Sequence, residues 1–82
     1  MARIIDGKEM NMVGHNIRRL RLERNMSQQR LSAELELLAI YICRGSISRI
    51  EDKQRTVTDI ELYGIAKVLG VPIAALYSLE ES

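Results

Sequence analysis

A chain that carries Ile47-Ser48-Arg49-Ile50-Glu51, with Ser27-Gln28-Gln29-Arg30-Leu31 twenty residues before it, has few folds open to it. Each segment starts on polar residues and runs onto an apolar face, as two helices joined by a turn would. At about 100° per residue, Ile47 and Ile50 share one side of a helix over 43–52, flanked by Cys43 and Glu51. Gly45, Arg49 and Asp52 fall on the opposite side, with Arg44 and Ser48 to one flank and Ser46 to the other. Two isoleucines would anchor such a helix to a core and leave Gly, Ser and Arg outward. That face is thin and basic enough to enter a DNA groove.

The 82 residues suit one domain with a single modest core. An apolar content of 46% excludes wholesale disorder, and the absence of Phe and Trp points to an aliphatic, helical core. No run of about 18 apolar residues is present, so no membrane span is expected. Met1–Gly7 lacks the apolar stretch of a signal peptide, and a lone Cys43 forms no intrachain disulfide. A cytoplasmic protein is the expectation.

The net charge of +1 hides an asymmetry. Residues 14–30 carry Arg18, Arg19, Arg21, Arg24 and Arg30 against Glu23 alone. Residues 44–55 carry Arg44, Arg49, Lys53 and Arg55 against Glu51 and Asp52, whereas 56–82 carry Lys67 against Asp59, Glu61, Glu80 and Glu81. A basic middle and an acidic end suit a domain with one face toward phosphate, although a merely solvated surface accounts for each arginine singly.

Periodicity predicts an all-α fold, a compact orthogonal bundle of five short helices containing a helix-turn-helix, with a flexible N-terminal arm over 1–10 and the folded domain over 11–79. Asn11 is read as the N-cap of a first helix bearing Val13, Ile17, Leu20 and Arg21 on one stripe, and ending at Asn25. Ser27 caps a second with Leu31, Leu35 and Leu38. Ala39-Ile40-Tyr41-Ile42 reads as a buried connection, and Cys43 caps the third helix over 44–52. Thr58-Asp59-Ile60-Glu61 is a capping box opening a fourth, with Ile60, Ile65, Val68 and Leu69 near the core. Gly70 ends it, and Pro72 begins a short fifth helix through Leu76 and Tyr77.

Taken in order, Ile17-Arg18-Arg19-Leu20-Arg21, Met26-Ser27-Gln28, Leu31, Ile47-Ser48-Arg49-Ile50-Glu51 and Leu69-Gly70-Val71 resemble the lambda-repressor-like helix-turn-helix family, also called Cro/repressor or Xre-type, over about 13–79. Three features depart from its usual pattern. The link from Leu31 to Ile47 is longer and gives an enlarged turn, Lys53 stands where Gly often ends the recognition helix, and Pro72 replaces a capping Ser.

The resemblance implies a sequence-specific regulator of transcription, a repressor above all, that binds double-stranded DNA as a homodimer on a palindromic operator. It implies base reading by Arg44, Gly45, Ser46 and Arg49, and phosphate contacts by Ser27, Gln28, Lys53, Gln54 and Arg55. Ser46 is open to a second role as a local cap, and Arg30 is a weaker phosphate candidate. The resemblance also pairs Arg21 with Glu51, and helical spacing turns both inward, where a charge must find a partner. Ile73, Leu76 and Tyr77, extended by Val71 and Leu79, either close the core or form a dimer face.

No residue set suggests an enzyme, a cofactor or a metal site. His15 has no companion at ligand spacing, Cys43 has no nearby His, and Tyr41, Tyr63 and Tyr77 read as half-buried packing. Met10, Met12 and Met26 read as gap fillers. The rival reading is an antitoxin-like or other bundle whose main partner is a protein.

Overall fold

The computed structural model describes residues 8–78, and every regular element among them is helical. The order is α1 (Gly14–Glu23), α2 (Gln28–Glu36), α3 (Arg44–Glu51), α4 (Asp59–Leu69) and a 3-10 helix (Ile73–Tyr77). The expected five helices are thus four, because the last element is a 3-10 helix. Pro72 starts it, Ala75 N–H donates to the Pro72 carbonyl (2.9 Å), and Leu76 is its only buried side chain. Five residues with one anchor are too few to sustain an α-helix against packing. Residues 1–7 of the expected arm and Leu79 lie outside the described residues. Glu9 and Met10 are tied down: Met10 N–H donates to the Lys53 carbonyl (3.0 Å) and Glu9 pairs with Lys53 (3.6 Å).

All four α-helices stop in the same way. Asn25, Ala39, Lys53 and Gly70 take left-handed backbone (φ 53°, 62°, 61° and 73°). In each case the next amide reaches back to the last turn: Met26 to Arg21, Ile40 to Leu35, Gln54 to Arg49 and Val71 to Ala66, at 2.8–3.1 Å. This is the Schellman ending, which glycine adopts freely; an L-residue there costs about 1–2 kcal/mol. Three of the four endings lack glycine and are held by the surrounding fold.

The starts differ. Ser27 Oγ accepts from Arg30 N–H (2.9 Å), and Thr58 and Glu61 form a complete capping box (3.1 and 3.0 Å). Asn11 lies three residues ahead of α1 rather than at its first turn. Its Oδ1 accepts from the Val13 and Gly14 amides (3.0 and 2.8 Å), and its Nδ2 donates to the Ile50 and Arg55 carbonyls (3.0 and 2.8 Å). One side chain therefore starts α1 and staples the end of α3. Gly14 fits there because an added Cβ would overlap the Ile50 carbonyl oxygen.

The core joins Ile17 and Leu20 of α1, Leu31 and Leu35 of α2, Ile47 and Ile50 of α3, Ile65 and Leu69 of α4, and Leu76. Four expectations are corrected. Leu38 falls beyond the end of α2 and is partly exposed, and Ile60 is 66% exposed, on the outer side of the first turn of α4. Tyr41 and Tyr63 stand in solvent, the latter with the Lys67 ammonium 6.0 Å from its ring centre. In the connection between α2 and α3 only Ile42 is fully buried, with Ile40 packed beside it. Among the described residues no helix is long and apolar enough to cross a membrane.

Candidate nucleic-acid interface

Ile47 and Ile50 fix one side of α3 in the core, and the other side is free. Arg44, Gly45 and Arg49 are exposed, and Ser46 is half-buried. Ser46 makes no backbone cap. Its Oγ accepts from the Cys43 thiol (3.4 Å) and from Arg49 Nη2 (3.1 Å), so it steadies the guanidinium one turn further along. When the exposed Cys43 thiol ionises, the Ser46 hydroxyl and backbone N–H donate to the thiolate, which holds the Cys43 pKa below its ordinary value.

A Cβ added at Gly45 meets nothing within 4 Å. The protein itself therefore does not require glycine there, and glycine weakens a helix interior by roughly 0.5–1 kcal/mol relative to alanine. Gly45→Ala is expected to raise thermal stability by about that amount while weakening duplex DNA binding, if bare backbone is what approaches the groove. Unfolding and gel-shift titrations check this; unchanged DNA affinity would remove Gly45 from the interface.

The angle of α3 is set from beneath. Arg21 and Glu51 are both buried and joined by two bonds, Nε to Oε2 (2.7 Å) and Nη2 to Oε1 (3.0 Å). Arg21 Nη1 also donates to the Met26 carbonyl (2.7 Å), and Gln28 Nε2 donates to Glu51 Oε1 (3.0 Å). The network thus binds α1, the turn before α2, the first residue of α2 and the last residue of α3. Gln28, expected at phosphate, already commits its side-chain amide to Glu51. Ser27 likewise commits its hydroxyl oxygen to the start of α2.

The loop after α3 is equally constrained. Lys53 and Gln54 close the helix, and the Gln54 side chain is exposed. Arg55 holds Glu61 through two bonds (both 3.0 Å) and donates to the Thr56 carbonyl (2.9 Å). Hydrogen bonding to Arg55 lowers the Glu61 pKa, so the pair stabilises the fold above about pH 4.5 and loses that contribution as pH falls below it. The Arg30 side chain pairs with Glu34 (2.9 Å).

Two asparagines do more than the sequence discloses. Asn11 ties the loop after α3 to the start of α1. Asn16 is buried, and its Nδ2 donates to the Leu76 and Ser78 carbonyls (2.9 and 2.7 Å), closing the 3-10 helix. The signal for Asn16 is its place beside Ile17 on the stripe of Val13 and Leu20. Among the described residues no group of three His, Cys, Asp or Glu could hold a metal ion.

The helix-turn-helix family matches residues 17–76, from α1 to within the 3-10 helix. The chain belongs to that family. It is of the Xre, lambda-repressor-like type, which points to a DNA-binding regulator of transcription. Solved structures agree on the fold. The restriction-modification controller protein C.AhdI from Aeromonas hydrophila is 23% identical, with a TM-score of 0.69 over 78% of this chain and 86% of that one. The DNA-binding domain of BldD is 21% identical, with a TM-score of 0.68 over 88% and 97%. Hydroxypropylphosphonic acid epoxidase from S. wedmorenis is also 21% identical, with a TM-score of 0.70 over 87% of this chain but only 35% of its own. No curated protein matches the chain. In this chain the turn between α2 and α3 spans residues 37–43.

Proposed function

We propose that this helix-turn-helix protein is a cytoplasmic, sequence-specific regulator that reads the major groove of duplex DNA with α3, and that it represses transcription by occupying its site. The observation that carries this reading is the pairing of an outward face, Arg44, Gly45, Ser46 and Arg49, with a buried ion pair holding the helix from below. Arginine matches the guanine O6/N7 edge through two parallel N–H donors. Lys53, Gln54 and the backbone of Ser27 and Gln28 would meet phosphates, with Arg55 contributing only what its bond to Glu61 leaves available. Residues 11–79 form the DNA-binding unit and 1–10 an appended arm.

The test separates reading from positioning. On a site selected from a random pool, Arg49→Ala is expected to lose about 1–3 kcal/mol of affinity, and much less on random duplex. Lys53→Ala should weaken both DNAs alike. Equal losses from both variants on both DNAs would refute base reading by Arg49. Transcription in vitro from a promoter overlapping the site should fall when the protein is added, and a rise would reverse the proposed sign.

One such helix covers few base pairs, so we further propose a homodimer on two half-sites about 34 Å apart. Leu76 closes the core, but Ile73 and Tyr77 on the same element keep much of their surface in solvent. A two-fold interface would cover them, each copy presenting the same patch. Ile73→Glu should lower the dimer fraction in sedimentation velocity without loss of helical circular dichroism. A wild-type protein that stays monomeric at high micromolar concentration and on DNA would exclude the dimer.

A further inference from the structure

Tyr41 projects from the turn between α2 and α3 with 75% of its surface exposed. Exposure alone is ordinary for a surface aromatic residue. What distinguishes Tyr41 is how firmly its neighbours are held. Ile42 is buried, and its carbonyl accepts from Ser32 Oγ (2.7 Å). Ile40 packs on the core, its amide donates to the Leu35 carbonyl (3.0 Å), and its side chain fills the space above Gly64. With both isoleucines turned inward, the residue between them is left facing out.

Its direction matters because α3 begins beside it. Cys43, two residues on, is the N-cap of α3, and Tyr41 lines one shallow cleft together with Ile42, Cys43, Ser46, Ser32 and Glu36. Tyr41 therefore stands at the end of α3 from which Arg44 and Ser46 project. The exposed Glu36 carboxylate lines the same cleft and repels phosphate there, so a phosphate contact by Tyr41 has to lie outside the cleft.

We infer that Tyr41 is a DNA-contacting residue of the enlarged turn, its hydroxyl donating to a backbone phosphate oxygen at the edge of the groove that α3 enters. The inference rests on the DNA-binding reading of α3 and extends its footprint beyond the residues assigned by sequence. Tyrosine is among the neutral side chains that bond phosphate, and such a contact positions the protein without reading sequence. It also releases no counterion, which separates it from an arginine or lysine contact.

The test titrates wild type, Tyr41→Phe and Tyr41→Ala against the selected site and against random duplex, at several salt concentrations. Both variants should bind both DNAs roughly 3- to 10-fold more weakly, as loss of a single hydrogen bond implies. The salt slope and the thermal midpoint should not change. Wild-type affinity in both variants on DNA that the wild type binds would overturn the inference, as would an affinity loss accompanied by a lower thermal midpoint. If the wild type binds no duplex, the DNA reading itself fails and this contact falls with it.

Discussion

Arg21→Met destabilises the fold by about 3–5 kcal/mol, because it leaves Glu51 charged and buried without its partner. Domains of this size have roughly 5–15 kcal/mol of stability in total, so the single change removes a large share of it. The loss goes beyond the ion pair. The Met26 carbonyl also loses its donor, and Gln28 alone cannot neutralise a carboxylate. Adding Glu51→Leu removes the stranded charge and should recover much of the stability, since a buried pair replaced by apolar residues is often close to neutral. A double-mutant cycle by urea unfolding measures the coupling. Additive losses would show that the two residues do not support one another.

That network also has a functional consequence. Glu51 is the last residue of α3, and Arg21 belongs to α1, so the pair fixes α3 relative to the rest of the bundle. The recovered double variant, stable but lacking the bidentate link, should therefore fold well and still bind its site less tightly than the wild type.

Much of this architecture is written in short-range signals. Ile47 and Ile50 at helical spacing place one face of α3 in the core, and Thr58 with Glu61 marks the start of α4. Gly70 marks its end because left-handed backbone is free of strain only for glycine. Ala39 and Lys53 adopt the same conformation without any such preference, and only tertiary packing holds them there. Tyr41 is opaque for a similar reason. An alternating apolar run looks buried until the anchoring of Ile40 above Gly64 and of Ile42 beneath Ser32 sets which side faces out.

The candidate site divides along the same line. Outward residues of α3 follow from angle alone. Competition for side chains does not, because the partners are remote in sequence: Gln28 meets Glu51 and Asn11 meets Arg55. Ser27, Gln28 and Arg55 are plausible phosphate contacts by position, yet each already has a structural partner. Lys53 is paired as well, with Glu9, which leaves Gln54, Arg44 and Arg49, the last bonded only to the neutral Ser46 hydroxyl, as the freer polar groups around α3.

If each subunit neutralises about three phosphates, a dimer should bind duplex DNA with a log–log salt slope near −5, from roughly −0.9 per phosphate. Affinity would then fall roughly a thousandfold between 50 and 200 mM salt. Sequence recognition adds an offset to this dependence, because base contacts add affinity on top of the phosphate contribution. The decisive measurement is a fluorescence titration of two duplexes across that salt range, one selected from a random pool and one scrambled. The account predicts steep slopes for both, with the selected duplex bound at least ~10³-fold more tightly at each salt concentration. A slope near zero would contradict DNA binding through the basic face, and steep slopes with no offset would contradict sequence reading by α3.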